Sequence, residues 1–178
     1  MPEANAPDLR YPIGKFTAPD AIRPAMIEQW IADIAAAPEQ LRAAVAGLSD
    51  PQLDTPYRPG GWTARQLVHH VADSHMNAYI RFKLALTEAN PVITAYSQAD
   101  WANLADSNLP IEVSLGLIEA LHYRMVALLR GVQPEEWART FRHPETGERR
   151  IDATVGMYAW HGQHHTAHVT GLRGREGW

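Results

Sequence analysis

Four stretches of the chain repeat apolar residues at steps of three and four, the spacing that gathers side chains on one face of a helix. The first begins near Asp20 and carries Ile22, Met26, Trp30, Ile31 and Ile34. Pro38 has no amide hydrogen, so it is expected to interrupt this helix. It would then open a second helical stretch over residues 39–47, with Leu41 and Val45 facing inward. Residues 49–61 hold three prolines and two glycines and predict a loop. Thr63 and Gln66 form a capping box and Trp62 with Leu67 a hydrophobic staple, so a long helix starts sharply there and runs to Asn90-Pro91. Residues 111–130 predict a third long helix with Leu117, Ile118, Leu121, Met125 and Leu128 as its stripe, ended by Gly131. Residues 152–173 predict the last, followed by a short tail.

The connections differ in kind. Residues 91–110, with Tyr96, Trp101 and Leu104, exceed the usual loop and have the length of a functional cover or a long crossover. Residues 134–150 are turn-rich, and Pro144-Glu145-Thr146-Gly147 predicts a tight turn in a small hairpin. Residues 1–19 carry Pro2, Pro7, Pro12, Pro19 and Gly14 and predict an extended arm. Tyr11, Ile13 and Phe16 would pack that arm onto the body or onto a second subunit. Long amphipathic segments without alternating runs predict an all-α four-helix bundle, one domain over residues 1–178.

Two helices break their own pattern. The second has His70/Val71, Ser74 and Arg81/Phe82 on a stripe that otherwise reads Leu67, Ala78 and Ala85. The last holds Trp160-His161-Gly162-Gln163-His164-His165-Thr166-Ala167-His168, where Tyr158, His161, His165, His168 and Leu172 share one face. Imidazoles at i and i+4 can aim two nitrogens at one ion. A lone core histidine is most often hydrogen-bonded to a neighbour. Three buried imidazoles without partners would cost on the order of 1–3 kcal/mol each, a cost that a shared ion removes. His70 with the His161/His165 pair is therefore a candidate three-ligand site, and three ligands leave the open position of a catalytic zinc. Pairing His164 with His168 is an alternative that periodicity leaves open. His69 points roughly 100° away from His70 and is expected at an edge or exposed. His75, His122 and His143 read as ordinary histidines without a partner in the sequence. Gly162 stands where a zincin has its glutamate base, so that motif is absent. Asp73, three residues past His70, is the best-placed carboxylate for proton transfer or for orienting a ligand.

Composition narrows the chemistry. Among 178 residues there is no cysteine but nine histidines, so a metal must be held by nitrogen and oxygen. Lys plus Arg number 16 against 20 Asp plus Glu, a net charge of −4 with no basic block, which leaves no footprint for nucleic acid. No stretch has the length of a membrane span and the N-terminus has no apolar signal core, so a cytoplasmic protein is expected.

Several blocks together resemble a known family: Tyr11-Pro12-Ile13-Gly14-Lys15-Phe16, Thr55 to Thr63, Val68 to Asn77, Arg81-Phe82-Lys83 and Tyr158 to His168. They are similar to the YfiT-like branch of the DinB superfamily, over nearly the whole chain. The resemblance implies a DinB-like four-helix bundle, a homodimer, and one zinc or nickel ion on three histidines. In that family the first ligand lies eight residues after the tryptophan opening the second helix, which puts it at His70. The other two form the HxxxH of the last helix, His161 and His165, rather than His164 and His168. The implied activity is that of a metal-dependent hydrolase acting on a small molecule. Relatives in the superfamily are S-transferases using bacillithiol or mycothiol, the alternative reading. A three-histidine ion suits both, since it lowers the pKa of bound water toward roughly 7 or holds a thiol as thiolate. Arg58 or Arg81 facing the metal would favour the transferase, because such thiols are anionic. A helical binding or stress protein with a structural metal is the third expectation, and a closed fourth position would mark it.

Overall fold

The apolar spacing becomes helix where it predicts helix, in a computed structural model that describes residues 8–178. The long helices are α1 (Pro24–Val45), α3 (Ala64–Thr87), α5 (Ile111–Arg130) and α6 (Ile151–Glu176). Two single-turn helices, α2 (Asp50–Leu53) and α4 (Gln98–Trp101), lie in the connections. Strands β1 (Thr140–His143) and β2 (Gly147–Arg150) form the expected hairpin, paired Thr140 with Arg150 through His143 with Gly147. Its turn closes through Gly147 at φ +78°, a conformation that favours glycine.

α1 packs on α5 and α6, and α3 packs on the same two helices. The ring order is therefore α1, α5, α3, α6. Consecutive long helices α1 and α3 stand diagonally, as do α5 and α6, which is why residues 46–63 and 131–150 must be long connections.

Two expectations need correction. Pro38 does not end α1, which runs through it to Val45. The carbonyl of Ile34, which an amide at position 38 would have bonded, accepts instead from His122 Nδ1 at 2.7 Å. A buried carbonyl with an outside donor removes much of the reason for the helix to break. The α5 stripe is also rotated from the one expected. Leu117 is exposed, whereas Ser114, Leu115, His122, Val126 and Leu129 are buried with Ile118, Leu121 and Met125.

The core is two apolar clusters. One gathers Ile31, Ile34, Phe82, Met125 and Val155 with their neighbours. The other gathers Leu41, Leu67, Val71, Ile118 and Leu172. Each fully buried side chain of this size contributes roughly 1.5–3 kcal/mol. Along α3 and α6 the sequence between the two clusters includes His75 and His161 to His168, and on α5 His122 follows Leu121, the first residue there of the first cluster. The bundle is thus oily at both ends with a histidine layer across its middle.

Candidate metal centre

His70 is placed by the start of α3. Thr63 Oγ1 accepts from the Gln66 amide at 3.1 Å and Gln66 Oε1 accepts from the Thr63 amide at 3.0 Å, the capping box read in the sequence. Gln66 Nε2 donates to the Ala102 carbonyl at 2.8 Å, tying this helix end to the long connection. Trp62, just before the cap, lays its ring 4.7 Å from that of His70. α6 supplies the rest, because His161 and His165 stand one turn apart with Nε2 atoms separated by 3.1 Å.

One nitrogen from each of His70, His161 and His165 lies within 4.8 Å of the other two. Ligands sharing a tetrahedral zinc stand about 3.4 Å apart, given Zn–N bonds of roughly 2.0–2.1 Å, so this donor set fits one ion. Among the described residues no other set of three histidines or acids does so. Burial holds the triad neutral. It pushes His70 down to about 4, and pushes His161 and His165 well below the ordinary histidine value, with the neighbouring imidazoles adding to the effect. Protons therefore do not compete for the ligand nitrogens at neutral pH.

The other histidines have different surroundings. His164 and His168 form a second pair, Nε2 to Nε2 at 3.1 Å, packed on Trp160 and Tyr57 and without a third ligand among the described residues. His69 is not at an exposed edge as expected. It is buried because Ser114 Oγ, 2.7 Å from its Nδ1, and the Leu109 carbonyl, 3.0 Å from its Nε2, give both ring nitrogens partners. His75 and His122 are core histidines, yet their partners are each other and His161. The separations of 47 and 86 residues hid this from any local reading. Asp73 is half-buried, its carboxyl raised by burial and by Asp106. It is not on the wall of either cavity that reaches the triad.

Those two cavities meet at His161. One, of about 450 Å³, is bordered by Arg58, Trp62, His70, His161, His165 and His168. The other, of about 660 Å³, is bordered by Lys15, Arg81, Tyr96, Arg149, Tyr158 and His161 among others. Arg81 is buried there without a carboxylate partner among the described residues. Its contacts are the Tyr158 hydroxyl at 3.3 Å and the Thr94 carbonyl at 3.5 Å, and its Nε has none. Part of the N-terminal arm forms cavity wall through Tyr11, Lys15 and Phe16. Trp160 Nε1 donates to the Gly14 carbonyl at 3.2 Å, which fastens the arm to α6. Ile13 is exposed, contrary to expectation. The long connection reaches the site through Gln98, which borders both cavities. No helix among the described residues is long and apolar enough to cross a membrane.

Known proteins place this architecture. A protein of Bacillus cereus (strain 03BB102) named "Putative metal-dependent hydrolase" is 57% identical over 171 residues, covering 96% of this chain and 99% of its own. A Bacillus mycoides (strain KBAB4) protein of the same description is 55% identical over the same length. The solved structure of YfiT from Bacillus subtilis, described as a probable metal-dependent hydrolase with an unusual four-helix bundle topology, superposes with a TM-score of 0.93 at 46% identity. It covers 96% of this chain and 98% of its own. The four-helix bundle protein TT2238, 19% identical with a TM-score of 0.56 over 85% of this chain, shares the fold alone. Residues 33–169 match the DinB superfamily, and with these relatives they show that the chain belongs to it, on the YfiT-like branch.

Proposed function

We propose that this chain is a metal-dependent hydrolase of the YfiT type, with zinc or nickel held by His70, His161 and His165, acting on a small molecule that carries an anionic group. The observation carrying the proposal is that the converged triad borders open cavities. A structural metal is closed off by protein ligands, whereas a catalytic one keeps a position free. A bound divalent ion would supply Lewis acidity toward water or a carbonyl oxygen. The chain's own residues do the rest. Arg81 brings to the wall of the larger cavity a guanidinium without a carboxylate partner among the described residues, a charge that a substrate carboxylate or phosphate would complement. Lys15 and Arg149 on the same wall add positive charge. Phe16 and Met157 supply apolar wall that restricts water.

The same guanidinium favours a second reading, an S-transferase using an anionic low-molecular-weight thiol of the bacillithiol or mycothiol kind. Arg58 on the wall of the smaller cavity points the same way. Purified, chelator-free protein should carry about one zinc or nickel per chain, and His70→Ala or His165→Ala should lose it. Full occupancy in either variant would overturn the assignment. The loaded protein is then assayed with anionic esters and amides, and with a thiol plus an electrophile. Turnover only in the thiol assay would select the second reading. Asp73→Asn, with metal content and turnover both measured, decides whether that half-buried carboxyl serves the reaction. A homodimer belongs to the same proposal on the strength of the family resemblance, and sedimentation tests it.

A further inference from the structure

Beyond the triad, three histidines form one continuous hydrogen-bonded line across the bundle. His122 on α5 bonds the Ile34 carbonyl of α1 through Nδ1 at 2.7 Å. His122 Nε2 lies 2.8 Å from His75 Nδ1 on α3. His75 Nε2 lies 3.0 Å from His161 Nδ1 on α6. The line visits all four long helices in ring order. His75 and His122 are buried at 0% and 1% exposure, so no water competes for these nitrogens.

The direction of every proton follows from the far end. A carbonyl oxygen only accepts, so His122 must carry its hydrogen on Nδ1. Neutral His122 then has a bare Nε2, and His75 must donate to it from Nδ1. Neutral His75 in turn has a bare Nε2, and His161 must donate to it from Nδ1. That leaves His161 Nε2 without a hydrogen, and this is the atom facing His165 Nε2 at 3.1 Å. Reversing any link would put two hydrogens, or two lone pairs, into a contact of 3.0 Å or less. Pro38 completes the logic, because a proline at that position leaves the Ile34 carbonyl without a partner inside α1. By contrast, His165 Nδ1 is buried with no partner among the described residues. The line orders only one of the two α6 ligands.

We propose that His122 and His75 are positioning residues that fix the tautomer and ring orientation of His161, with the proline-freed Ile34 carbonyl as their anchor. The assignment rests on the reading that His161 holds the metal. Outer partners of ligating histidines typically contribute 10–100-fold in metal affinity. Here the outer partner is itself ordered by a second histidine and a backbone oxygen.

Long-range proton–nitrogen NMR on the ¹⁵N-labelled, zinc-loaded full chain reads the tautomers directly, with His75→Gln and His122→Phe spectra supplying assignments. The expected result is Nδ1–H with bare Nε2 at both His75 and His122. An Nε2–H signal from either overturns the proposal. Zinc affinity, measured by chelator competition at a temperature where each protein is folded, gives the second readout. His122→Phe keeps an aromatic ring but loses the anchor, and its affinity should fall 10–100-fold. A merely structural role would lower the melting temperature and leave the affinity of the folded protein within about twofold, and that outcome also overturns the proposal. Should His122→Phe not fold, the wild-type spectrum decides. A wild-type chain that takes up no zinc refutes the metal reading itself, whereas wrong tautomers in a chain that does bind zinc refute only the positioning.

Discussion

Acid should destabilise the metal-free protein through His70. His70 is 4% exposed, and burial pushes its pKa from 6.5 to about 4. In the unfolded chain the ring titrates near its ordinary value, so below pH 6.5 the unfolded state binds a proton that the folded state refuses. This contribution is fully present above pH 6.5, is lost as pH falls toward 4, and changes no further below that. Moving from 6.5 to about 4 corresponds to about 3.4 kcal/mol over the whole window, of which about 2 kcal/mol is lost by pH 5. His70→Gln keeps a polar side chain but does not titrate. Urea unfolding of chelator-treated wild type and variant at pH 7 and pH 5 reads the contribution of His70 together with its coupling to His161 and His165, because the remaining buried histidines contribute to both proteins. The wild-type midpoint should drop further than the variant's by about 1 M urea, taking a slope of roughly 2 kcal/mol per molar. Equal drops in the two proteins would refute the reasoning and show that His70 is solvated in the fold.

Three other outcomes follow from the packing. A Cβ on Gly156 would stand 2.9 Å from two Trp30 ring carbons, so Gly156→Ala should cost about 1–3 kcal/mol of overpacking, at least offsetting the roughly 1 kcal/mol that helix propensity returns. A raised melting temperature would show that the indole yields freely. His164→Ala should leave metal content near that of wild type, and metal-free His164→Ala protein would mean that the ligand pair is the other one. Deleting residues 1–19 removes the Gly14 carbonyl from Trp160 and the Tyr11, Lys15 and Phe16 walls. A lower melting temperature is expected, and an unchanged one would count against the packed arm.

What the sequence disclosed was whatever is written locally. Thr63 and Gln66 lie three residues apart and announce the start of α3. His161 and His165 lie one turn apart and announce a ligand pair. The hidden parts depend on which helix faces which. Pro38 reads as a break until His122, 84 positions away, is known to take the Ile34 carbonyl. His69 reads as exposed until Ser114 and Leu109 close over it. The α5 stripe is ambiguous in the sequence because Leu117 is as apolar as Leu115, and only the neighbouring helices decide which one is covered. One local signal does point to the hidden line. His122 directly follows Leu121 on a helix facing another helix whose stripe already carried histidine, and a polar residue on such a stripe needs a partner.

Trp62, 4.7 Å from the His70 ring, also makes the site visible to light. An open-shell ion such as nickel accepts excitation from a nearby indole, whereas closed-shell zinc does not. Titrating the two ions into metal-free protein and watching tryptophan emission would therefore give binding curves of different depth from one unlabelled sample. A Trp62→Phe variant would show how much of the signal comes from this ring. The same side chain that holds the first ligand in place thus offers an optical report of which element the bundle has taken up.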